Sequence, residues 1–431
     1  MVMSSGNDLA ILGGPSAFSR RQPRYPEFSP EALRRLCAVL ADGPTQGLSK
    51  GHPIVAEFEG RLAELHQVSH CLAAASGHGA LQSALIGLEI TEGDEVITSP
   101  YSWGASVSCI LHNGAMPVFC DVLPDTGLID PAALEGALTS RARAIMVPHL
   151  YGQPADMTAI MKFAEAHDLR VVEDGSQAHG ARHAGRPVGS FGHASGFSIN
   201  GVKPLASAEG GYLVTRLEEV YWKATISCQH AGRGELIGRA SEPGFPDELR
   251  GHIDSLVYTY RPNVPSLVLA LDRLPHLNEE NDARRANAGL LRRLLEDSEL
   301  FSFPRYADED HPVFHMVTLN VRRLLPEVGR DEVLRALQAE GVPAVAYVER
   351  GLHQSPRMSP DWSGPKVMWT GTIRRSGQDP TRLPLPGCEE KVATSIEIPW
   401  NYVHRDDDLI AEMAGAFRKV EANLAALTGL R

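Results

Sequence analysis

At 431 residues the chain is too long for one small core, and it predicts two or three domains or one large domain carrying a smaller one. Lys and Arg number 41 against 53 Asp and Glu, a formal net charge of -12, which argues against a nucleic acid or an anionic membrane as the main partner. No apolar run approaches the roughly 20 residues that a bilayer span requires.

The N-terminus, MVMSSGNDLAILGG, lacks the basic stretch and long apolar core of a secretory signal, and residues 1–50 read as an extended segment. Six cysteines (Cys37, Cys71, Cys109, Cys120, Cys228 and Cys388) show neither CxxC nor CxxH spacing. They read as small buried hydrophobes in a reducing cytoplasm, not as a disulfide frame or zinc site. A cytoplasmic location follows as the expectation.

From about Cys71 to Thr215 short apolar runs alternate with helical periodicity. Leu81, Ala84, Leu85 and Leu88 fall at i, i+3, i+4 and i+7, predicting a helix after the loop Ser76-Gly77-His78-Gly79. Strands are expected at 95–98, 116–120, 144–147 and 169–173, with helices around Val107–Leu111 and over 157–163. Strands without polar alternation, separated by helices, imply a mostly parallel sheet covered on both faces.

Past Tyr258 the texture changes. An apolar helix is predicted over 264–274 and a polar one through NEENDARRANAG; then come a strand over 313–321, a helix over 330–340 and a strand over 344–347. Residues 355–391, rich in Pro, Gly and Ser, read as a long loop. The division expected is a large domain, residues 1–280, and a small α+β domain, residues 281–431.

Ligands bind at the carboxyl ends of parallel strands. Lys203 lies in GFSINGVKPLASAEGG, five residues after Ser198, in a bend between two short apolar strands. Burying an ammonium there is unfavourable without a partner, and covalent chemistry with an aldehyde is one reason to keep it. A surface lysine in a glycine-rich turn is the plainer explanation for the residue taken alone.

Its neighbours alter that balance. Asp174 ends a buried strand and suits a pyridine nitrogen; Trp103 offers an aromatic face, or is an ordinary core aromatic. Gly77 and His78 at a helix start, with Ser198, suit a phosphate, and Gln177 suits a phenolic oxygen or a loop carbonyl. His149, Tyr151 and His179 stand near the same edge, each equally explained by a structural hydrogen bond. His183 and His193 read as loop residues, and no metal is assigned.

In order and wording the chain resembles the DegT/DnrJ-type sugar (or cyclitol) aminotransferases, a branch of the fold-type-I enzymes dependent on pyridoxal 5'-phosphate. The segments that carry the resemblance are SGHGAL, GDEVITSPYSW, GAMPVFCDVLPDTGLIDP, VPHLYGQPADM, VVEDGSQAHGA and FSINGVKPLASAEGG. It continues more weakly through YTYRPNVPSLVLALDRL and GVPAVAYVERGLHQSP.

The resemblance implies an α/β fold with a mostly parallel sheet, and a Schiff base between Lys203 and the cofactor. It gives Asp174 to the pyridine nitrogen, Gln177 to the phenolic oxygen and Trp103 to the ring face. Gly77, His78 and Ser198 go to the phosphate, and His353 to the substrate entrance. The segment Tyr258–Arg261 matches one by which a second subunit reaches the site, so a homodimer with shared active sites and a trans contact from Arg261 are implied.

Three positions depart from the family pattern: His78 for Thr, Thr259 for Asn, and Ala208 for the first glycine of GEGG. The function implied is transfer of an amino group from glutamate or glutamine to a keto-sugar or keto-cyclitol, with Lys203 as acid and base and Asp174 as its catalytic companion. A dehydratase of the same family carries histidine at the position of Lys203, which argues against it. A cyclase or lyase would use the same residues, and a non-catalytic cofactor-binding regulator is disfavoured by the complete set.

Overall fold

A computed structural model of the chain describes residues 8–41, 51–230, 232–233, 249, 252–307, 309–322 and 325–429. Its centre is a seven-stranded sheet in the order β1-β9-β8-β5-β4-β2-β3. These strands are β1 (His70–Ala74), β2 (Glu95–Thr98), β3 (Met116–Phe119), β4 (Ala142–Pro148), β5 (Arg170–Asp174), β8 (Ala194–Ser198) and β9 (Gly211–Thr215). A two-residue hairpin, β6 (Arg182–His183) and β7 (Arg186–Pro187), stands apart from it.

The pairs β3/β2, β2/β4, β4/β5 and β5/β8 are parallel, while β8/β9 and β9/β1 are antiparallel. β1 therefore runs in the same direction as β8, so β1, β2, β4, β5 and β8 all end on one edge.

Both faces of the sheet are dry because successive residues of each central strand enter different cores. Val96, Ala144, Met146 and Val172 pack with Leu81, Leu85 and Ile110. Their neighbours Ile97, Ile145, Val147 and Val171 pack with Leu134 and Ile160 on the other side. After α1 (Pro30–Ala41) and α2 (Pro53–His66), helices α3 (Gly77–Gly87), α4 (Ala105–His112) and, past the one-turn α5 (Leu134–Ala137), α6 (Met157–Ala166) follow β1, β2 and β4 and cover these faces.

The C-terminal half builds a second sheet, the antiparallel trio β10 (Phe301–Ser302), β11 (Met316–Val321) and β12 (Ser395–Pro399). Helices Leu277–Leu294, Arg330–Ala339 and Asp407–Ala422 pack around it. Leu9 and Phe18 from the N-terminal segment sit in this same core.

Several expectations change. The segment 1–50 is not extended throughout: Pro30–Ala41 is a helix, started by Ser29, whose Oγ accepts from the Ala32 N–H at 3.0 Å, and by Pro30 at its first position. Residues 1–7 and 42–50 of that segment lie outside the described residues. The strand expected from 313 begins at Met316, since Phe314 has a left-handed φ of 49°.

Residues 344–347 form no strand. Only Val345 pairs, by one antiparallel bridge to Glu397, and the Tyr347 N–H donates to the Glu397 carboxylate at 3.0 Å instead of to a neighbouring backbone. The stretch 355–391 is not one loop either: it holds the helix Trp369–Ser376 and the start of Pro386–Thr394. Proline opens the latter at its first position, where no N–H is needed. Cys37 is exposed, while the other five cysteines are buried; all six are free thiols. Among the described residues no helix is long and apolar enough to cross a membrane.

Candidate active site

The carboxyl edge of the sheet opens into a cavity of about 440 Å³. Seven of the eight residues singled out for a cofactor line it: Gly77, His78, Trp103, Asp174, Gln177, Ser198 and Lys203. They arrive from β1, β2, β5 and β8, which is what a shared strand direction at that edge requires. Arg261 does not line the cavity; it is exposed on the surface.

Lys203 stands in the connection between β8 and β9. Burial lowers its ammonium below the ordinary lysine value, while the charge of Asp174 pulls it back up. Asp174 closes β5, and two donors orient its carboxylate: Ser106 Oγ to Oδ2 at 2.6 Å and the Ser176 N–H to Oδ1 at 3.2 Å. Ser106, in the first turn of α4, was not singled out from the sequence. Nothing in spacing places it beside a residue 68 positions away.

The preceding residue, Glu173, is fully buried and faces the opposite way. Its carboxylate accepts the N–H groups of Gly189 (2.8 Å), Phe191 (2.9 Å) and Gly192 (2.7 Å), and the Ser195 hydroxyl at 3.2 Å. Burial pushes its pKa up, but bonds and charge from His149 and these amides outweigh that and hold it below the usual value.

His149 Nε2 lies 3.1 Å from Glu173, while Nδ1 accepts the Ala155 N–H at 3.0 Å. Nδ1 therefore carries no proton, and Nε2 donates. Although His149 lines the cavity, both ring nitrogens are committed inward, which leaves it a wall and not an acid or base.

The anion end is built by contact between distant segments. A Cβ on Gly77 would fall 2.6 Å from Ser198 Cβ, so only glycine lets the start of α3 meet the end of β8. Ser76 Oγ caps the Gly79 N–H at 3.0 Å, and the N–H groups of Gly77 and His78 have no partner within the helix.

The His78 ring is tied sideways, Nε2 to His112 Nδ1 at 2.8 Å and Nδ1 to Ser108 Oγ at 3.3 Å. Burial and the neighbouring His112 lower its pKa to about 4, with Asp174 opposing. At neutral pH it is uncharged.

Gln177 Oε1 accepts the Tyr151 N–H at 2.6 Å, and its side chain also bonds Tyr347. Tyr347, missed as a site residue, enters the cavity wall from the C-terminal half, its ring 6.1 Å from Trp103. Trp103 itself is 61% exposed at the mouth, so it is not a core aromatic.

Tyr151 and His179 are buried behind the wall rather than in it, His179 packing on Phe197 and Tyr212. His353 is buried against Phe119 and does not line the cavity entrance. His183 lies in β6, bonded to Asp310 at 2.7 Å, and His193 Nδ1 accepts the Val171 N–H at 2.9 Å. Thr259 has a φ of 57°, a conformation asparagine adopts more readily than a β-branched residue. Among the described residues no group of three or more His, Cys, Asp or Glu is placed to hold a metal ion.

An open, mostly parallel sheet with a cavity at its carboxyl edge, lined by a lysine and an aspartate, is the arrangement of the fold-type-I enzymes. The sequence pattern of the DegT/DnrJ/EryC1/StrS aminotransferase family matches residues 33–368. The chain is 35% identical to L-glutamine:2-deoxy-scyllo-inosose aminotransferase of Streptomyces paromomycinus, covering 98% of this chain and 99% of that protein. Among solved structures, the aminotransferase from Psychrobacter cryohalolentis superposes with a TM-score of 0.81 at 26% identity, over 94% of this chain and all of that one. DesI, crystallised with its TDP-sugar product, gives 0.80 at 27% identity over 99% of each. The chain belongs to the DegT/DnrJ/EryC1/StrS aminotransferase family.

Proposed function

We propose that the cavity holds pyridoxal 5'-phosphate, and that the chain moves an amino group from glutamine or glutamate to a keto-cyclitol or keto-sugar. The observation that carries this reading is a lysine amine, its pKa lowered by burial, sharing a cavity with the oriented carboxylate of Asp174.

The residues present fit that cofactor. Lys203 Nζ would hold its aldehyde carbon and Asp174 its pyridine nitrogen. The Gly77 and His78 N–H groups with Ser198 would hold its phosphate, and the contact made possible by Gly77 shapes that cradle. Trp103 would cover the ring, and the Gln177 amide nitrogen would reach the phenolic oxygen, since Oε1 is already bonded to Tyr151. When bound, the cofactor supplies an electron sink conjugated to the carbon that bears the amine.

The chain supplies the rest. Lys203 Nζ would take one proton from the donor's α-carbon and give one back as the ketone is aminated, acting in turn as base and acid. A lowered pKa favours the neutral amine, the form that can accept a proton. Asp174 would hold a proton at the pyridine nitrogen, with Ser106 fixing the carboxylate's direction. Tyr347 and Trp103 narrow the mouth against water.

The reading includes a second copy of the chain, which would bring the exposed Arg261 to the anion end of its neighbour's cavity. It also includes a large part to residue 280 with a smaller one after it, and a reducing cytoplasmic setting, which six free thiols fit. An inosose-type acceptor is favoured, because the Streptomyces paromomycinus relative is named for one and matches nearly end to end.

The test is direct. The protein, reconstituted with pyridoxal phosphate, is followed by absorbance with L-glutamine or L-glutamate. The aminated form then meets 2-deoxy-scyllo-inosose, scyllo-inosose and keto nucleotide sugars, with products read by mass. A new amine from one acceptor class is expected. Absence of any spectral change with either donor overturns the reading.

A further inference from the structure

The Lys203 connection is held from outside its own sheet, at consecutive positions. Tyr25 Oη lies 2.8 Å from the Lys203 carbonyl oxygen and 2.7 Å from that of Pro204. One residue earlier, the Val202 backbone is bonded to the buried ring of His315, which immediately precedes β11. Neither partner belongs to β8 or β9.

Tyr25 is itself placed by a pair of arginines. The guanidinium of Arg284 sits 5.1 Å from the Tyr25 ring centre and that of Arg273 5.7 Å away. Arg273 also donates to the Glu27 carbonyl at 2.9 Å and pairs with Glu280.

Arg284 is only 1% exposed, and no carboxylate pairs with it among the described residues. Its charge is met by Asn281 Oδ1 at 2.9 Å and by the face of the Tyr25 ring. Burying a guanidinium with neutral partners alone is unfavourable, so the arrangement calls for an explanation beyond stability.

A phenol whose ring lies against guanidinium cations becomes a stronger donor through its own O–H. The contacts thus run from Arg284, on the helix of the second core, through Tyr25 to the consecutive carbonyl oxygens of Lys203 and Pro204, which share its single O–H. We propose that Tyr25, polarised by Arg284, is a positioning residue for Lys203: the N-terminal segment is a strap that fixes the lysine's backbone and so the direction of its amine. This rests on Lys203 being the residue that holds the cofactor, but the strap itself is testable without one.

The experiment pairs Tyr25→Phe, which deletes one oxygen and keeps the ring over both arginines, with Arg284→Lys, which keeps the charge and removes the planar fork. Amide hydrogen exchange is read on peptides within 199–210 in the cofactor-free protein. An increase of about 10-fold is expected in Tyr25→Phe, the worth of one net hydrogen bond, with distant peptides unchanged. Both variants are then loaded with pyridoxal phosphate, and the pH midpoint of the cofactor band is titrated.

A shift of about half a unit or more, with a fall in kcat and little change in donor KM, is expected of a residue that aims Lys203. A structural role would leave that midpoint where it is. Unaltered exchange in 199–210, or an unaltered midpoint and kcat, overturns the proposal. If no cofactor binds to the wild type, the function proposed above fails while hydrogen exchange still decides whether the strap exists. Should Tyr25→Phe not fold, Arg284→Lys carries the same readings.

Discussion

Glu173 and Asp174 are consecutive, and their carboxylates do opposite work. Strand alternation sends the first into a cradle of backbone N–H groups behind the sheet and leaves the second at the cavity. One is fixed by the fold and the other is presented by it. Together they explain how a charged residue ends a buried strand.

Lys203→Ala is expected to abolish turnover, and Asp174→Asn to keep the cofactor while losing activity by about 100-fold or more. Single-turnover rates and the absorbance of the purified variants decide this. Full activity in Lys203→Ala would remove the lysine from the chemistry.

Glu173→Gln puts an NH₂ group where five donors already converge, so it should destabilise the protein by about 2–4 kcal/mol in urea unfolding. Because its folded pKa lies below the unfolded 4.5, Glu173 adds stability above that value, which is lost as pH falls through the lower, folded pKa. The wild type should therefore lose stability below about pH 4.5 more steeply than the variant. Parallel acid curves would refute the buried-carboxylate account.

His78, with its pKa near 4, brings no positive charge to the anion end at neutral pH. His78→Thr should consequently leave the salt dependence of cofactor binding unchanged at pH 7.5, whatever it does to affinity. A weaker salt dependence in the variant would show a charged imidazole instead.

Lys391 is completely buried, its ammonium donating to the Asp125 carbonyl (3.0 Å), Thr318 Oγ1 (3.1 Å) and Asn320 Oδ1 (2.9 Å). Burial pushes its pKa from 10.5 down to about 8, against the pull of Glu397 and Asp125. Between those values the unfolded chain binds the extra proton, so stability should rise from about pH 8 towards pH 10, by up to about 3 kcal/mol. Denaturant titrations of wild type and Lys391→Met across that range should diverge; coincident slopes would contradict this.

Gly77→Ala would press a methyl onto Ser198, 2.6 Å from its Cβ. A loss of about 1–3 kcal/mol and weaker retention of pyridoxal phosphate are expected. Equilibrium dialysis beside a melting curve separates the two effects.

The central strands were legible because both faces of the sheet are apolar: runs such as Val96-Ile97 and Ile145-Met146-Val147 have no other use. The lysine, the aspartate and the phosphate loop were legible because each sits where a strand gives way to a turn. Ser106, Tyr347, Tyr25 and the bond of His149 to Glu173 were not, since each depends on a meeting between segments far apart in sequence. The apolar run at 344–347 misled for a related reason. A side chain, Glu397, takes the N–H that a further strand pairing would have needed. At 355–391, composition alone suggests a loop, although one of its prolines opens a helix.

The connection that carries Lys203 is pinned at both ends, Ser198 paired with Gly211 in the β8/β9 register. Both strands have a second neighbour, β5 on one side and β1 on the other, so neither can slide to absorb an added residue. A residue added within 199–210 would have to bulge out of the connection and move the backbone that carries Lys203. An engineer seeking new acceptors has freedom at the mouth, around Trp103 and Tyr347, and almost none in the segment that carries the amine.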